Sequence, residues 1–226
     1  VSELQLVLEG IGGTVPNPKK SLVIDIAGKG ISKTDITSTG RAYLILENSG
    51  GAINELNIEA SGTLGLFGTL TNSIKNIDAS ESTAHLSLSV GEGEATVKGS
   101  SGINILRLAG GKNTVTTYSS DDSIFVEGGE AFIFTNEGQD YIEIIGSRNT
   151  GIETGIGNDE VVISNGTNYI DTGQDDDNIS LRNGSNTVFS NIGHDFLNIQ
   201  DGDNTIFTAS GSDDLTISGG NNAVVT

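Results

Sequence analysis

Apolar residues recur every nine positions through residues 90–226 of the chain. In each group of nine the eighth residue is apolar, and the sixth is most often Asp or Asn. The eighth positions are Val97, Leu106, Val115, Ile124, Ile133, Ile142, Val161, Ile170, Ile179, Val188, Leu197, Ile206, Leu215 and Val224. Because side chains alternate along a strand, this pattern predicts a short strand with one buried face after each six-residue turn. A sustained short period of this kind is typical of a solenoid.

The sixth position alternates between two residue types. Asp occurs every eighteen residues, at Asp159, Asp177, Asp195 and Asp213. Asn lies midway, at Asn168, Asn186, Asn204 and Asn222. Two nines therefore make one coil with two strands, and coils stack about 4.8 Å apart. We expect an all-β protein, a parallel β-roll or β-helix solenoid with about 18 residues per coil, right-handed by the general rule for parallel crossovers.

The two sides of each coil are predicted to differ. After an Asp turn the inward face ends in a second apolar residue, at Ile163, Leu181, Ile199 and Ile217. After an Asn turn that place holds a hydroxyl, at Thr172, Ser190, Thr208 and Thr226. We call the turns with Asp at position six the Asp edge and those with Asn the Asn edge. The Asn edge is predicted to form a neutral hydrogen-bonding ladder, because amides both donate and accept.

Position nine faces outward in this pattern and holds several phenylalanines. Phe189, Phe207 and Val225 lie one coil apart and form an apolar stripe. Such a stripe either contacts another chain or domain or is covered by a loop of the same chain.

Residues 1–89 are less regular, and we expect them to form an irregular solenoid section before a regular one over residues 90–226. Asn57–Ser61 resembles Asn76–Ser80 nineteen residues later, which suggests one wider coil. Pro16 and Pro18 predict a loop. One extra residue, expected near Gly151, shifts the register of the nines.

Composition narrows the function. The chain has 226 residues, 32 Gly, no Cys and a net charge of −19. Residues 150–226 carry twelve acidic residues and one basic residue, Arg182. This acidity argues against nucleic acid as a partner, and the lack of Cys excludes thiol catalysis and disulfides. No stretch is apolar enough for a membrane span. Since no signal segment follows Val1, we expect a mature form or a fragment.

The nine-residue unit resembles the RTX (repeats-in-toxin) calcium-binding motif G-G-x-G-x-D-x-U-x. Thr154–Val162 is the closest match, with Gly157 at position four and Asp159 at position six. The resemblance implies Ca²⁺ between consecutive turns, held by the carboxylates and turn carbonyls of the Asp edge. The implied ligands are Asp159, Asp177, Asp195 and Asp213 with Gly157, Gly193 and Gly211, and further candidates are Asp122, Asp140 and Asp175. Ca²⁺ prefers six to eight hard oxygens, which such turns supply.

The sequence departs from that family pattern at position one of the Asp edge. Thr154, Thr172, Ser190 and Thr208 stand where the motif has Gly. Acidic turns without metal are the alternative interpretation of this edge. Asp175 replaces the fourth-position Gly and either adds a carboxylate or distorts its turn. Catalysis is not expected: the triplet Asp175–Asp177 lies within the repeat, and His194 occupies an exposed turn position.

A second resemblance concerns the looser section. Ser73–Ser80 and Thr83–Leu88 look like segments of RTX-type surface-layer proteins of Gram-negative bacteria. The resemblance implies a protein secreted by a type I system, located at the cell surface, folding with Ca²⁺ and self-associating into an array, with cell-surface polysaccharide as a further partner. The alternative is an RTX repeat module of a secreted adhesin, toxin or polysaccharide-active enzyme.

Overall fold

A computed structural model describes residues 3–9, 22–27, 30–70 and 72–226 of the chain. Its contacts divide the chain into two compact units, Val1–Asn113 and Thr114–Thr226. The described residues form strands and turns without a helix, in a parallel β-solenoid of about 11 turns, so the predicted fold class is confirmed. None of these residues forms a helix that could cross a membrane. The loop predicted around Pro16 lies outside the described residues.

The first unit has wide coils that narrow along the chain. Its strands are β1 (Glu3–Glu9), β2 (Leu22–Asp25), β3 (Lys33–Glu47), β4 (Glu55–Leu70), β5 (Asn76–Asp78), β6 (His85–Val90), β7 (Ala95–Lys98) and β8 (Asn104–Leu108), and β9 (Lys112–Thr116) crosses the unit boundary. Lys33 of β3 pairs with Glu55 of β4, whereas Leu86 of β6 pairs with Asn104 of β8, so the later coil is the shorter one. The early coils of this section are thus longer than the regular ones, and the wider turns expected there stay a prediction.

The internal alignment predicted within this section was wrong by two residues. Asn57 pairs with Asp78, and Asn76 pairs with Glu55 instead. A shift of two residues preserves the alternation of side chains, so Leu56 and Ile77 still face inward and are buried. The sequence repeat could not distinguish these two registers, because both bury the same apolar set.

The second unit carries the regular coils. Its further strands are β10 (Ser123–Glu127), β11 (Glu130–Phe134), β12 (Tyr141–Ile145), β13 (Asn149–Ile156), β14 (Glu160–Ser164), β15 (Thr167–Gln174), β16 (Asn178–Arg182), β17 (Ser185–Phe189), β18 (Phe196–Gln200), β19 (Asp203–Phe207), β20 (Asp214–Ser218) and β21 (Asn221–Val225). Even-numbered strands pair in parallel with even-numbered ones, and odd with odd. Each coil therefore has two strands on separate ladders.

The pairing of successive coils aligns the predicted core positions. Val161 pairs with Ile179, and Ile179 pairs with Leu197. The eighth positions from Val97 to Ile206 are fully buried. Val224, in β21, is 41% exposed, and β21 pairs with β19. The predicted core of the regular coils is thus confirmed up to the final coil.

The extra residue expected near Gly151 lies a few residues before it, in a turn. Glu127 pairs with Ile145, whereas Glu130 pairs with Asn149, so the second pair is separated by one residue more than the first. The insertion therefore falls between β12 and β13. Gly151 itself pairs in register with Tyr169 in β15. A turn accommodates an added residue, whereas a strand would reverse all its following side chains.

The outward stripe is an aromatic stack. The rings of Phe189 and Phe207 are parallel within 5°, with centroids 4.7 Å apart. Tyr169 contacts Phe189 at 5.4 Å from the preceding strand of the same ladder. Both phenylalanines are half-buried, and Val225 beyond them is exposed. The stripe thus faces outward as predicted.

Candidate metal site

The Asp edge brings six aspartates into one continuous ladder. Their carboxylates occupy equivalent positions in successive coils, at Asp122, Asp140, Asp159, Asp177, Asp195 and Asp213. In each step the backbone N–H of one Asp donates to the Oδ1 of the Asp in the next coil. The Asp159 N–H lies 2.9 Å from Asp177 Oδ1, and the Asp177 N–H lies 3.0 Å from Asp195 Oδ1. The ladder fixes the orientation of every carboxylate that accepts such a bond.

The ladder continues through the irregular coils without interruption. The Asp122 N–H donates to Asp140 Oδ1, and the Asp140 N–H donates to Asp159 Oδ1, both at 2.8 Å. The inserted residue lies between β12 and β13, away from these turns. Ala131 occupies position six on the opposite edge, in β11, so it does not interrupt the ladder between Asp122 and Asp140.

Burial makes these carboxylates costly to ionise. Five of the six are at most 2% exposed, and they are Asp122, Asp140, Asp159, Asp177 and Asp195. Desolvation, with a smaller contribution from the charges of Asp159 and Asp195, raises the pKa of Asp177 to about 8 against the lowering effect of Thr172. Desolvation likewise raises the pKa of Asp159 to about 6. An ionised ladder therefore needs positive charge nearby.

The second carboxylate oxygen has no hydrogen-bond partner in the buried part of the ladder. This holds for the Oδ2 atoms of Asp140, Asp159, Asp177 and Asp195. A buried acceptor without a partner costs about 1–3 kcal/mol, and more if it is charged. The chemistry of these oxygens fits a hard cation such as Ca²⁺. The described residues contain no convergent group of three or more His, Cys, Asp or Glu side chains that would hold a metal by themselves.

Buried hydroxyls accompany the carboxylates at position one. Thr135 donates its hydroxyl to the Thr154 carbonyl at 3.3 Å, and Thr154 donates to the Thr172 carbonyl at 2.8 Å. The series stops there, since the hydroxyls of Thr172 and Ser190 have no partner in hydrogen-bonding geometry although both residues are fully buried. The buried hydroxyl residues thus form one row, and only its earlier members donate to the next coil.

The position-four glycines are required by the stacking of the turns. A Cβ on Gly211 would lie 1.5 Å from the Gly193 carbonyl oxygen, and one on Gly193 would lie 2.0 Å from the Asp175 oxygen. A Cβ on Gly157 would likewise collide with the Gly138 carbonyl oxygen. A side chain on Gly157, Gly193 or Gly211 would therefore collide with the carbonyl of the turn before it, whereas Asp175 holds this position with a different backbone, at a φ of 79° against 139° at Gly157. The three glycines named as ligand candidates thus line the carbonyl column of the Asp edge.

The structure separates the Asp175–Asp177 triplet. Asp177 points inward and is buried, whereas Asp175 and Asp176 are exposed. Asp175 has a positive φ of 79°, so it takes the left-handed backbone of the turn, which is unusual for a residue with a side chain. The Asp176 carboxylate accepts the His194 N–H at 2.8 Å. Asp175 therefore is not one of the buried carboxylates, and its role as a ligand stays a prediction.

The Asn edge forms the predicted neutral ladder. Asn168 donates to Asn186, Asn186 to Asn204, and Asn204 to Asn222, each from Nδ2 to Oδ1 at 2.7 Å. Each amide also donates to a turn carbonyl three residues earlier, as Asn186 does to Asn183 at 3.2 Å. From Asn168 to Asn222 each amide oxygen after the first accepts from the preceding amide without added charge, and Asn168 Oδ1, at the start of the row, has no hydrogen-bond partner among the described residues. The same turn position therefore holds an acidic side chain on the Asp edge and a neutral amide on the Asn edge.

Comparison with known proteins adds no relative. No protein-family model matches the chain, and no curated protein and no solved structure is significantly similar to it. Function has to be inferred from the side chains of the Asp edge.

Sequence reasoning missed the proximity of hydroxyl and carboxylate. The sequence showed Thr172 and Ser190 only as hydroxyl residues in place of the glycine of the motif. In the structure they lie beside the carboxyls of Asp177 and Asp195. The available signal was their constant spacing before each aspartate of the Asp edge.

Proposed function

We propose that the chain is a structural calcium-binding module, in which Ca²⁺ along the Asp edge stabilises the stacked coils. The observation that carries this proposal is the row of buried carboxylates whose Oδ2 atoms have no partner. Stacked carboxylates about 4.8 Å apart repel one another unless a cation lies between them. Arg182, the one basic residue after position 150, lies exposed at the end of β16, where the chain enters an Asn turn.

The finer proposal is a surface-layer role. A protein of this type would be secreted by a Gram-negative bacterium, fold outside the cell where calcium is plentiful, and self-associate at the cell surface, where polysaccharide is a further partner. The half-buried aromatic stack of Phe189 and Phe207 supports self-association, because apolar outward stripes serve as contacts between chains.

A calcium titration tests both levels of the proposal. Metal-free protein should gain thermal stability and β-sheet circular dichroism on adding CaCl₂, with NaCl of equal ionic strength as the control. Identical melting curves in calcium and in chelator would refute calcium binding as the role of the Asp edge.

Light scattering and electron microscopy of the same samples test assembly. Ordered sheets that form only with calcium would support the surface-layer role. A calcium-bound monomer would instead favour the module of a secreted adhesin or toxin, and turnover of a polysaccharide would favour an enzyme.

A further inference from the structure

A shallow groove lies on the outer face of the even-numbered strands, across β14, β16 and β18. Its volume is about 260 Å³. Side chains alternate along a strand, so the residues between the buried ones face outward here. The outward side chains form two columns in register, one of Val162, Ser180 and Asn198 and one of Ser164, Arg182 and Gln200. The parallel pairing thus gathers five polar side chains in one groove.

The polar side chains of the groove are not used by the protein itself. No hydrogen bond or ion pair joins any of the five to another described residue, and they are Ser164, Ser180, Arg182, Asn198 and Gln200. Arg182 is exposed, and the other four are half-buried. Their donors and acceptors can therefore contact a ligand without breaking a bond within the chain.

Arg182 gives this groove a positive charge within an acidic stretch. It is the one basic residue after position 150, where twelve residues are acidic, and none of the described residues that line the groove is acidic. In the larger groove of the first unit, Lys33 is instead paired with Asp35 at 3.5 Å. The unpaired guanidinium of Arg182 suits a carboxylate, because its fixed N–H groups can donate to both carboxylate oxygens at once.

Acidic residues on the adjacent strands limit the charge of such a ligand. Glu143 of β12 pairs with Val162, and Asp214 of β20 pairs with Phe196, so both lie on the outer face beside the groove. Like charges at short range repel one another. A ligand with several carboxylates spaced along the solenoid would meet these acids, whereas a single carboxylate at Arg182 would not.

The amides and hydroxyls around Arg182 suit a ligand that also carries hydroxyl groups. The side chains of Asn198 and Gln200 both donate and accept hydrogen bonds, and so do serine hydroxyls. A volume of about 260 Å³ is below the roughly 300–1,000 Å³ of sites that enclose drug-sized ligands, so the groove fits about one sugar ring.

We propose that this groove binds a sugar acid. Its one carboxylate contacts the Arg182 guanidinium, and its ring hydroxyls contact the amides of Asn198 and Gln200 and the hydroxyls of Ser164 and Ser180. The inference goes beyond the proposed function, which assigns no site to an anion, and it does not depend on calcium binding at the Asp edge.

Titration of the nitrogen-labelled full chain with sodium glucuronate, followed by heteronuclear NMR in calcium-containing buffer, tests the site. The side-chain signals of Arg182, Asn198 and Gln200 should shift. Glucose, which lacks the carboxylate, should bind about tenfold more weakly or less, since a hydrogen bond to a charged group contributes about that factor. Acetate, which lacks the hydroxyls, should leave the Asn198 and Gln200 signals in place. Methyl glucuronide identifies the source: binding equal to that of glucuronate indicates a sugar residue joined to a glycan, and binding of glucuronate alone indicates a free sugar acid.

Two arginine variants separate the groove from general charge. Arg182→Gln should weaken glucuronate binding about tenfold or more. Arg148→Gln is the matched control, because Arg148 is an exposed arginine between β12 and β13 and its loss changes the net charge equally. This control should bind glucuronate within about twofold of the parent. Arg182→Lys keeps the charge without the paired donors and should recover only part of the affinity.

Melting curves of both glutamine variants should match the parent, because both arginines are exposed. Absent shifts at Arg182, or equal weakening in Arg182→Gln and Arg148→Gln, would overturn this site and leave the proposed function standing. Melting curves of the parent that do not respond to calcium would overturn the proposed function alone, since the groove contains no residue of the Asp edge.

Discussion

At the scale of single residues, the buried polar side chain at position six finds hydrogen-bond partners in one way on the Asn edge and in another on the Asp edge. Asp177 and Asn186 both lie at position six and are both buried. The amide of Asn186 donates to one neighbour and accepts from another, so its ladder is neutral and satisfied. The carboxylate of Asp177 can only accept when ionised, and its Oδ2 has no donor. Charge at this position therefore creates a requirement for a proton or a cation.

This requirement predicts a pH dependence for the metal-free protein. The folded-state pKa values of Asp159 and Asp177, about 6 and about 8, lie above the ordinary value of 3.8. The folded chain thus binds protons more tightly than the unfolded chain, and this stability is fully present below pH 3.8. It is lost as pH rises through about 6 and about 8. Melting temperatures in metal-free buffers should fall across that window, and calcium should reverse the loss at the alkaline end.

Asp177→Asn is the matched control for this pH dependence. It retains an Oδ1 acceptor and removes the charge, as the Asn edge does naturally. We expect this variant to gain about 1–3 kcal/mol at alkaline pH without metal, the usual cost of an unsatisfied buried group. A parent protein whose stability is constant or rises between pH 4 and pH 8 would contradict the burial argument.

At the scale of strands, the nine-residue period predicts most of the second unit. Alternation of side chains and one apolar residue per nine are sufficient to place Ile179 and Leu197 in one ladder. The period does not predict hydroxyl orientation, since Thr154 and Thr172 occupy the same position with different hydrogen bonding. Nor does it predict register in the first unit, where Asn57 pairs with Asp78, because two-residue shifts conserve the buried face.

The Asn ladder should stabilise its strands independently of metal. Asn186→Ala removes the acceptor of Asn168 and the donor of Asn204, and it leaves both amides with an unmet bond. We expect a loss of about 2–3 kcal/mol in the free energy of unfolding, measured by urea denaturation. The loss should be equal in calcium and in chelator.

Asn178→Ala serves as the control for this measurement, because Asn178 is exposed at the start of β16. Its free energy of unfolding should stay within about 0.5 kcal/mol of the parent. A cost at Asn186 that disappears in chelator would mean that the Asn edge also depends on the cation.

At the scale of the whole molecule, the two units balance their charge differently. In the first unit Lys33 lies 3.6 Å from Glu3, 3.5 Å from Asp35 and 3.8 Å from Glu55, so an ammonium group serves three strands. Exposed ion pairs of this kind add little stability, but they remove the need for an outside cation. In the second unit the buried Oδ2 atoms of Asp140, Asp159, Asp177 and Asp195 have no hydrogen-bond partner among the described residues. The need for calcium should therefore be concentrated in the second unit.

Chelation should accordingly loosen residues 150–226 before the first unit. Hydrogen exchange followed by mass spectrometry should show faster exchange of the Asp159, Asp177 and Asp195 amides in chelator, because each donates to a carboxylate that the cation holds in place. Peptides from β3 and β4 should change little. Sodium chloride at matched ionic strength controls for general screening of the −19 net charge. Calcium bound at the Asp edge should slow amide exchange only in the coils that it contacts. An equal increase in exchange rate in both units on chelation would therefore show that calcium acts through overall charge.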